Sequence, residues 1–214
     1  MKKNAFTMIE LVFVIVVIGI ITAAMLPRID RDNVYEAAQQ VISHIKYTQH
    51  LAMIDNKFDD RDINLPNPGD GWFQEMWQIR FQDCNGNTEH AYSIYSDEDH
   101  DAAIDATEAA LDPLSKKRID ATACVAGPNQ DPNVVLSNKY DIDTVILAGP
   151  CFATNNYIAF DHLGRPHINV ANTVNVAQAA CTITLASNAE NLTISVEPET
   201  GYACIINPLT GNCF

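Results

Sequence analysis

A run of acidic side chains between residues 97 and 108 has the residue types and spacing needed to bind a metal ion. Its sequence is DEDHDAAIDATE, and six of these twelve residues carry a carboxylate. Ca²⁺ takes six to eight hard oxygen ligands, which carboxylates and carbonyls supply. Because the carboxylates would repel one another without a cation, the segment favours a Ca²⁺ site.

The spacing of this run matches the twelve-residue EF-hand loop, whose ligands occupy positions 1, 3, 5, 7, 9 and 12. These positions fall on Asp97, Asp99, Asp101, the carbonyl of Ala103, Asp105 and Glu108. Position 6 is Ala102 instead of the usual glycine, and a Cβ at that left-handed position costs about 1 kcal/mol. We therefore predict a single, weak Ca²⁺ site suited to millimolar calcium. The alternative is an acidic loop that only water solvates.

A second chemical feature is a carboxylate inside an apolar segment. Residues 6–26 are almost continuously apolar, close to the ~20 residues that a membrane-spanning helix needs. Lys2 and Lys3 precede the segment and an acidic body follows it, a charge order that predicts a cytoplasmic N-terminus and an exported body. A glutamate at bilayer depth is costly, so we expect Glu10 to have a function.

Residues 2–5 (KKNA) and 6–11 (FTMIEL), with the Val/Ile-rich run after them, resemble the N-terminal processing segment of type IV prepilins and pseudopilins. The resemblance implies that a prepilin peptidase removes the leader, residues 1–5, by cutting between Ala5 and Phe6, and that the new amino terminus is methylated. It also implies a single-pass protein of the bacterial inner membrane, with a cytoplasmic N-terminus and a periplasmic head, that later joins a pilus or pseudopilus. The family usually has glycine before the cut, where this chain has Ala5.

The same resemblance implies a function for Glu10. In such filaments this glutamate meets the free N-terminal amine of a neighbouring subunit, so that two buried charges neutralise each other at assembly. A buried ion pair sets register better than it adds stability, because a misaligned subunit leaves a charge unpaired. The alternative is a glutamate that snorkels, or is protonated, in a plain membrane anchor.

The apolar spacing after Pro27 indicates an amphipathic helix. Its apolar face consists of Val34, Ala38, Val41, Ile45, Thr48 and Ala52. We therefore predict one long N-terminal helix over residues 6–55, transmembrane over 6–26 and amphipathic over 27–55. Pro27 lacks the amide hydrogen for an internal helical bond, so we expect a kink there and a second weak point at Gly19.

Residues 56–214 form the predicted exported, β-rich head. Residues 76–81 and 91–95 alternate apolar and polar side chains around an Asn-Gly turn, which predicts a β-hairpin, and four more strand-like runs begin near residues 144, 156, 181 and 192. The predicted fold class is α+β and pilin-like, with the helix packed on an antiparallel sheet. Residues 158–166 (IAFDHLGRP) and 194–201 (ISVEPETG) also resemble, more loosely, the closing strands of minor H-type pseudopilins of type II secretion.

The six cysteines lie in the predicted head and contain no C-x-x-C spacing, a pattern typical of disulfides in an oxidising compartment. They are Cys84, Cys124, Cys151, Cys181, Cys204 and Cys213. Six cysteines allow 15 connectivities. The short Pro- and Gly-containing loop between Cys204 and Cys213 predicts that these two pair, whereas buried free thiols are the alternative for some of the others.

The sequence contains no recognisable catalytic motif and carries a net charge of −14. We therefore predict that the chain is not an enzyme, and that it has no nucleic-acid partner, because such contacts need clustered Lys and Arg. His44 and His50 lie on the predicted helix without an evident carboxylate partner, and we interpret both as packing or surface residues. His162 and His167 flank a predicted turn, and we interpret them in the same way.

These observations together predict a structural subunit, a minor pseudopilin or pilin that polymerises through its N-terminal helix into a filament for type II protein secretion. The expected partners are other pilin or pseudopilin subunits, the prepilin peptidase, an inner-membrane assembly platform, and membrane lipid before assembly. One alternative is a type IV pilus subunit for adhesion, motility or DNA uptake. Others are a membrane-anchored calcium-binding module that never polymerises and a membrane-anchored hydrolase.

Overall fold

The computed structural model divides the chain into two compact units, Met1–Asp32 and Asn33–Phe214. It describes residues 7–25, 33–55, 57, 71–101, 103–121, 123–170, 174–188 and 190–213. The first unit contains helix α1, Met8–Met25. The second contains helix α2, Asn33–Ile54, the short helix α3, Leu136–Tyr140, and eight strands. The predicted kink at Pro27 and the predicted cut between Ala5 and Phe6 lie outside the described residues.

The length of α1 corrects the predicted membrane anchor. The helix has 18 residues, which at the usual rise per residue span about 27 Å, short of the ~30 Å hydrocarbon core of a bilayer. Among the described residues, no helix combines the length and the apolarity that crossing a membrane requires. The predicted transmembrane segment over 6–26 is therefore wrong, and so is the single-pass inner-membrane location that was based on it.

The predicted fold class, with one long N-terminal helix on a sheet, is also wrong. α1 runs unbroken through Gly19 and ends at Met25. α2 is a separate element and belongs to the same unit as the strands. The described chain therefore consists of an apolar helix in one unit, and a second helix with two antiparallel sheets in the other.

The amphipathic pattern of α2 correctly identifies the side of the helix that is buried. All six residues of its predicted apolar face are buried, and Ala37, Ile42 and His44 extend that face. α2 contacts strands of both sheets as well as α3. Its apolar face therefore joins the two sheets into one hydrophobic core.

The two sheets each contain four strands. The first has the order β2-β1-β4-β5, with β1 Gln78–Cys84, β2 Glu89–Tyr95, β4 Tyr157–Phe160 and β5 Pro166–His167. The second has the order β3-β6-β7-β8, with β3 Thr144–Ala148, β6 Cys181–Ala186, β7 Asn191–Val196 and β8 Ala203–Ile205. All the strand pairs are antiparallel.

The outer edge of β2 is covered by the segment that follows it. The amide of Ile94 donates to the carbonyl of Ile119, and the amide of Ala110 donates to the carbonyl of Ile94. The amide of Ile119 in turn donates to the carbonyl of Ala110. This pairing protects an edge that could otherwise join another chain, and it positions residues 109–121 close to α2.

Three disulfides connect the second unit: Cys84–Cys124, Cys151–Cys181 and Cys204–Cys213. The last is the pair that the short loop between the two cysteines predicts. Cys84–Cys124 joins the end of β1 to the segment after the covered edge, and Cys151–Cys181 joins the stretch before β4 to the start of β6. Closing such loops stabilises the fold mainly by restricting the unfolded chain.

A single side chain of α2 links the two turns that the sequence singles out. Gln49 Nε2 donates to the carbonyl of Gly164 and to that of Thr200, both at 2.7 Å. The turns approach so closely that a Cβ on Gly201 would lie 2.5 Å from the carbonyl oxygen of Gly164. Gly201 also has φ +62, so both the turn and the approach require glycine.

The first of these turns is organised by a buried carboxylate. Asp161 Oδ1 accepts hydrogen bonds from the amides of Leu163 and Arg165, both at 2.9 Å, and Oδ2 accepts from Arg165 Nε at 2.8 Å. His167 Nε2 lies 3.3 Å from Oδ2. Burial alone would raise the pKa of Asp161, but the hydrogen bonds from His167, Arg165 and Leu163 outweigh it and hold the pKa well below its usual range.

We expect Gly201→Ala to destabilise the second unit by about 2 kcal/mol more than Gly86→Ala, measured by guanidinium unfolding. Both glycines have positive φ, so each substitution incurs a backbone cost of about 1 kcal/mol. Only at Gly201 would the new methyl group also clash with packed backbone, and such overpacking costs about 1–3 kcal/mol. Equal losses in the two variants would show that the turns do not meet as described.

We expect Asp161→Asn to lower the free energy of unfolding by about 3 kcal/mol at pH 7, because the variant leaves Arg165 without its partner in a largely buried network. A depressed pKa stabilises the folded state above the unfolded value of about 3.9, and this stabilisation is lost as the pH falls below it. The difference in unfolding free energy between wild type and variant should therefore narrow as the pH falls below about 4 in urea unfolding. Asp141→Asn, at an exposed position, is the control and should keep the wild-type acid dependence.

Candidate functional site

The acidic loop over residues 97–108 connects the end of β2 to the segment that covers its edge. Tyr95 bridges to Ala109, and the amide of Ser96 donates to the carbonyl of Glu108 at 3.3 Å. The two ends of the loop are thus fixed to the sheet. The helices that flank a complete EF-hand are not present at either end, since a strand precedes the loop and bridged, extended backbone follows it.

Glu108, the predicted closing ligand, is buried beneath the loop. Its Oε1 accepts from the amides of Glu98 at 2.7 Å and Asp99 at 3.3 Å, and its Oε2 accepts from the amide of Asp105 at 3.2 Å. The carboxylate therefore organises the loop from inside by satisfying backbone amides. Ca²⁺ bound at this position would compete with those hydrogen bonds for the same two oxygens.

The structure brings three of the predicted ligands together. Asp97, Asp99 and Glu108 each offer an oxygen within 4.8 Å of the other two. Asp101 and Asp105 are not part of that group, and Asp101 Oδ1 instead accepts from the amide of Ala103 at 2.7 Å. Ala102 lies outside the described residues.

Glu10 lies in the first turn of α1, and its side chain is exposed. Its Oε2 accepts from the amide of Thr7 at 3.4 Å and from the Thr7 hydroxyl at 3.3 Å. A glutamate that reaches back to the residue before the helix is half of a capping box. The spacing Thr7-x-x-Glu10 is the sequence signal of that box.

The surface of α1 is apolar and exposed. Every side chain described in the first unit, residues 7–22, is exposed, and Met8, Ile9 and Phe13 are exposed by 87%, 79% and 69%. Thr7, Glu10 and Thr22 are the polar side chains within that range. An exposed apolar helix surface of this length indicates an interaction site.

His44 is the site residue that the sequence interpretation missed. It is buried on α2, and Asp112 and Asp131 each offer an oxygen within 4.8 Å of the others and of a His44 ring nitrogen. No sequence signal could have found this group, because its members come from three separate segments. His50 and His162 are exposed, and His167 is buried against Asp161, so the packing and surface interpretation describes these three.

No family model, curated protein or solved structure matches this chain. The resemblance to prepilins therefore depends on residues 2–11 and on the two shorter segments near the C-terminus. Any function for the chain has to be argued from its own residues.

We expect the acidic loop to bind one Ca²⁺ per chain with a millimolar-range Kd in calorimetric titration. At ten times that Kd, binding should raise the free energy of unfolding by about 1.4 kcal/mol. Asp99→Asn should remove both effects because it takes away one of the three converging carboxylates. Glu190→Gln, which removes an exposed charge elsewhere, should retain them. Absence of binding heat and of stabilisation in the wild type would exclude the site.

Proposed function

We propose that this chain is a structural subunit that polymerises through its N-terminal helix into a pilin-like filament, in the manner of a minor pseudopilin of type II protein secretion. The observation that carries this proposal is the exposed apolar surface of α1. The second unit has a hydrophobic core of its own, closed by α2, two sheets and three disulfides. Such a head suits a subunit that is folded before it assembles.

The composition of α1 favours other copies of the same helix as its cover. Apolar side chains surround the helix on all sides, and a helix of that kind is stable only when it is buried on all sides. Apolar area removed from water contributes about 25 cal/mol per Å². A filament core built from many such helices supplies this burial, whereas one partner covers only one side.

In this proposal, the charge of Glu10 sets the register between neighbouring subunits. Cutting between Ala5 and Phe6 by a prepilin peptidase would create an amine near the start of the helix, and the Glu10 carboxylate of a neighbouring subunit would pair with it. In the free chain the same carboxylate caps α1 through Thr7. Assembly would therefore exchange a local hydrogen bond for a pair between subunits, with separate assembly machinery supplying the energy.

We also propose that the acidic loop binds Ca²⁺ as an accessory site of the head. The supporting observation is the convergence of Asp97, Asp99 and Glu108. Because the ends of the loop are fixed to the β2 edge, the cation would stabilise the head locally and need not contact α1.

The charge of Glu10 can be tested separately from its capping function. Glutamine replaces glutamate in a capping box, so Glu10→Gln preserves the cap and the size of the side chain while it removes the charge. Glu10→Ala removes both, and Glu36→Ala removes an exposed carboxylate from α2. Each variant is expressed in the native host, and its incorporation into purified filaments is measured by quantitative immunoblotting.

We expect Glu10→Gln and Glu10→Ala to lose incorporation and Glu36→Ala to retain it. An amine left unpaired in the filament core costs about 3 kcal/mol or more, which corresponds to at least about a hundredfold loss. Loss in Glu10→Ala with normal incorporation of Glu10→Gln would mean that Glu10 acts only as a cap, which contradicts the charge pairing. Normal incorporation of both would contradict the filament mechanism.

The type IV pilus alternative predicts a different phenotype when the chain is deleted. Deleting the chain from a secretion filament should stop export of folded proteins to the medium and leave surface pili unchanged. Deleting a pilus subunit should reduce pili, adhesion or motility and leave protein export unchanged. Measuring both in one deletion strain separates the two assignments.

A further inference from the structure

A half-buried cavity of about 380 Å³ lies where α2 meets the two segments that follow β2. His44, Asp112 and Asp131 line it, and one ligand-type atom of each lies within 4.8 Å of the others. The group shares no residue with the acidic loop. All three residues belong to the second unit.

Hydrogen bonds to the backbone place the carboxylates of Asp112 and Asp131 beside His44. Residues 109–121 cover the edge of β2, and the Tyr47 hydroxyl donates to the carbonyl of Leu111 at 2.8 Å, which fixes the residue before Asp112 against α2. The amide of Asp131 donates to the carbonyl of Arg118 at 2.8 Å. Asp131 is thereby attached to the same segment and caps the short turn of helix over Pro132–Val134.

Each carboxylate is anchored through one oxygen and presents the other. Asp112 Oδ2 accepts from the amides of Leu114 and Ser115, while its Oδ1 lies 3.9 Å from His44 Nε2. Asp131 Oδ1 accepts from the amide and the side chain of Asn133, at 3.1 and 2.9 Å. Asp131 Oδ2 is buried without a hydrogen-bond partner, in a residue that is only 1% exposed.

Within the described part of the chain, Asp112 and Asp131 have no lysine or arginine partner. A buried, unpaired carboxylate is costly, and a divalent cation would balance the group.

His44 is oriented as a metal ligand. Its Nδ1 lies 2.9 Å from the hydroxyl of Tyr92, a fully buried residue. In the tautomer in which Nδ1 donates to that oxygen, Nε2 presents its lone pair to the cavity, the arrangement typical of histidines that bind metals. The side-chain amide of Gln40, 3.1 Å from Nε2, must turn aside for a metal to bind.

We propose that His44, Asp112 and Asp131 form a binding site for a divalent transition metal of the Zn²⁺ type, which connects α2 to the segments covering the β2 edge. An imidazole with two carboxylates favours such an ion over Ca²⁺, which prefers oxygen ligands. Zn–N and Zn–O bonds of about 2.0–2.2 Å place ligand atoms about 3.4 Å apart. The observed 3.9 Å between His44 Nε2 and Asp112 Oδ1 is therefore close to the required geometry.

The test is calorimetric titration of the full, disulfide-bonded chain with Zn²⁺, together with Co²⁺ as a spectroscopic probe. We expect one Zn²⁺ per chain, tetrahedral-type Co²⁺ absorption, and a Zn²⁺-induced shift of the His44 Nε2 resonance in ¹⁵N NMR spectra. His44→Gln and Asp131→Asn should weaken binding more than about tenfold. His50→Gln is the matched control, since it removes an exposed histidine from the same helix, and it should bind normally.

A second control separates this site from the acidic loop. Asp99→Asn should leave Zn²⁺ affinity unchanged, and excess Ca²⁺ should not displace Zn²⁺. Absence of saturable binding in the wild type, unchanged affinity in His44→Gln and Asp131→Asn, or loss of binding in Asp99→Asn alone would overturn the proposal. If circular dichroism shows that a core variant is unfolded, the Zn²⁺ affinity of Asp112→Asn is the test instead. The Asp112 side chain lies at the rim with 13% exposure, so this variant is expected to fold. Its loss of affinity supports the site, and normal affinity rejects it.

Discussion

Burial of the apolar face of α2 is the interaction on which the rest of the second unit depends. The helix contacts strands of both sheets, so one face closes a core that neither sheet closes alone. Polar side chains at the edges of that face then hold the surrounding loops in position. Gln49 holds the two C-terminal turns together through Gly164 and Thr200, and His44 is positioned against the segment that covers β2. A single helix therefore sets both the core and the arrangement of the loops.

Several carboxylates of the second unit accept hydrogen bonds from backbone amides. Asp161, Glu108, Asp112 and Asp131 each accept at least one main-chain hydrogen bond near their own position in the sequence. Such bonds stabilise the ionised form and give turns a defined shape. Asp131 differs from the others because one of its oxygens is buried and unpartnered. That unpartnered oxygen is available to a ligand.

α1 differs from the second unit in the exposure of its apolar side chains. Its described side chains are exposed and almost all apolar, whereas the second unit has one principal core of buried apolar side chains. In a filament, the exposed surface and the closed head would have separate tasks, assembly and presentation. Glu10 would belong to both states, as a cap for the free helix and as a charge partner in the assembled one. The hydrogen bonds from Thr7 would satisfy the carboxylate until a neighbouring subunit pairs with it.

The sequence by itself determined the features that depend on local spacing. The buried face of α2, the hairpin of β1 and β2, the Cys204–Cys213 pair and the converging acidic residues Asp97, Asp99 and Glu108 all follow from short-range patterns. Only the tertiary structure decided which segments meet over long range, because nothing in local spacing encodes it. It joined Cys84 to Cys124 and Cys151 to Cys181, placed Asp112 and Asp131 beside His44, and ended α1 at 18 residues. Apolar composition predicted a membrane span there, but the helix has only 18 residues, which are too few to cross the hydrocarbon core.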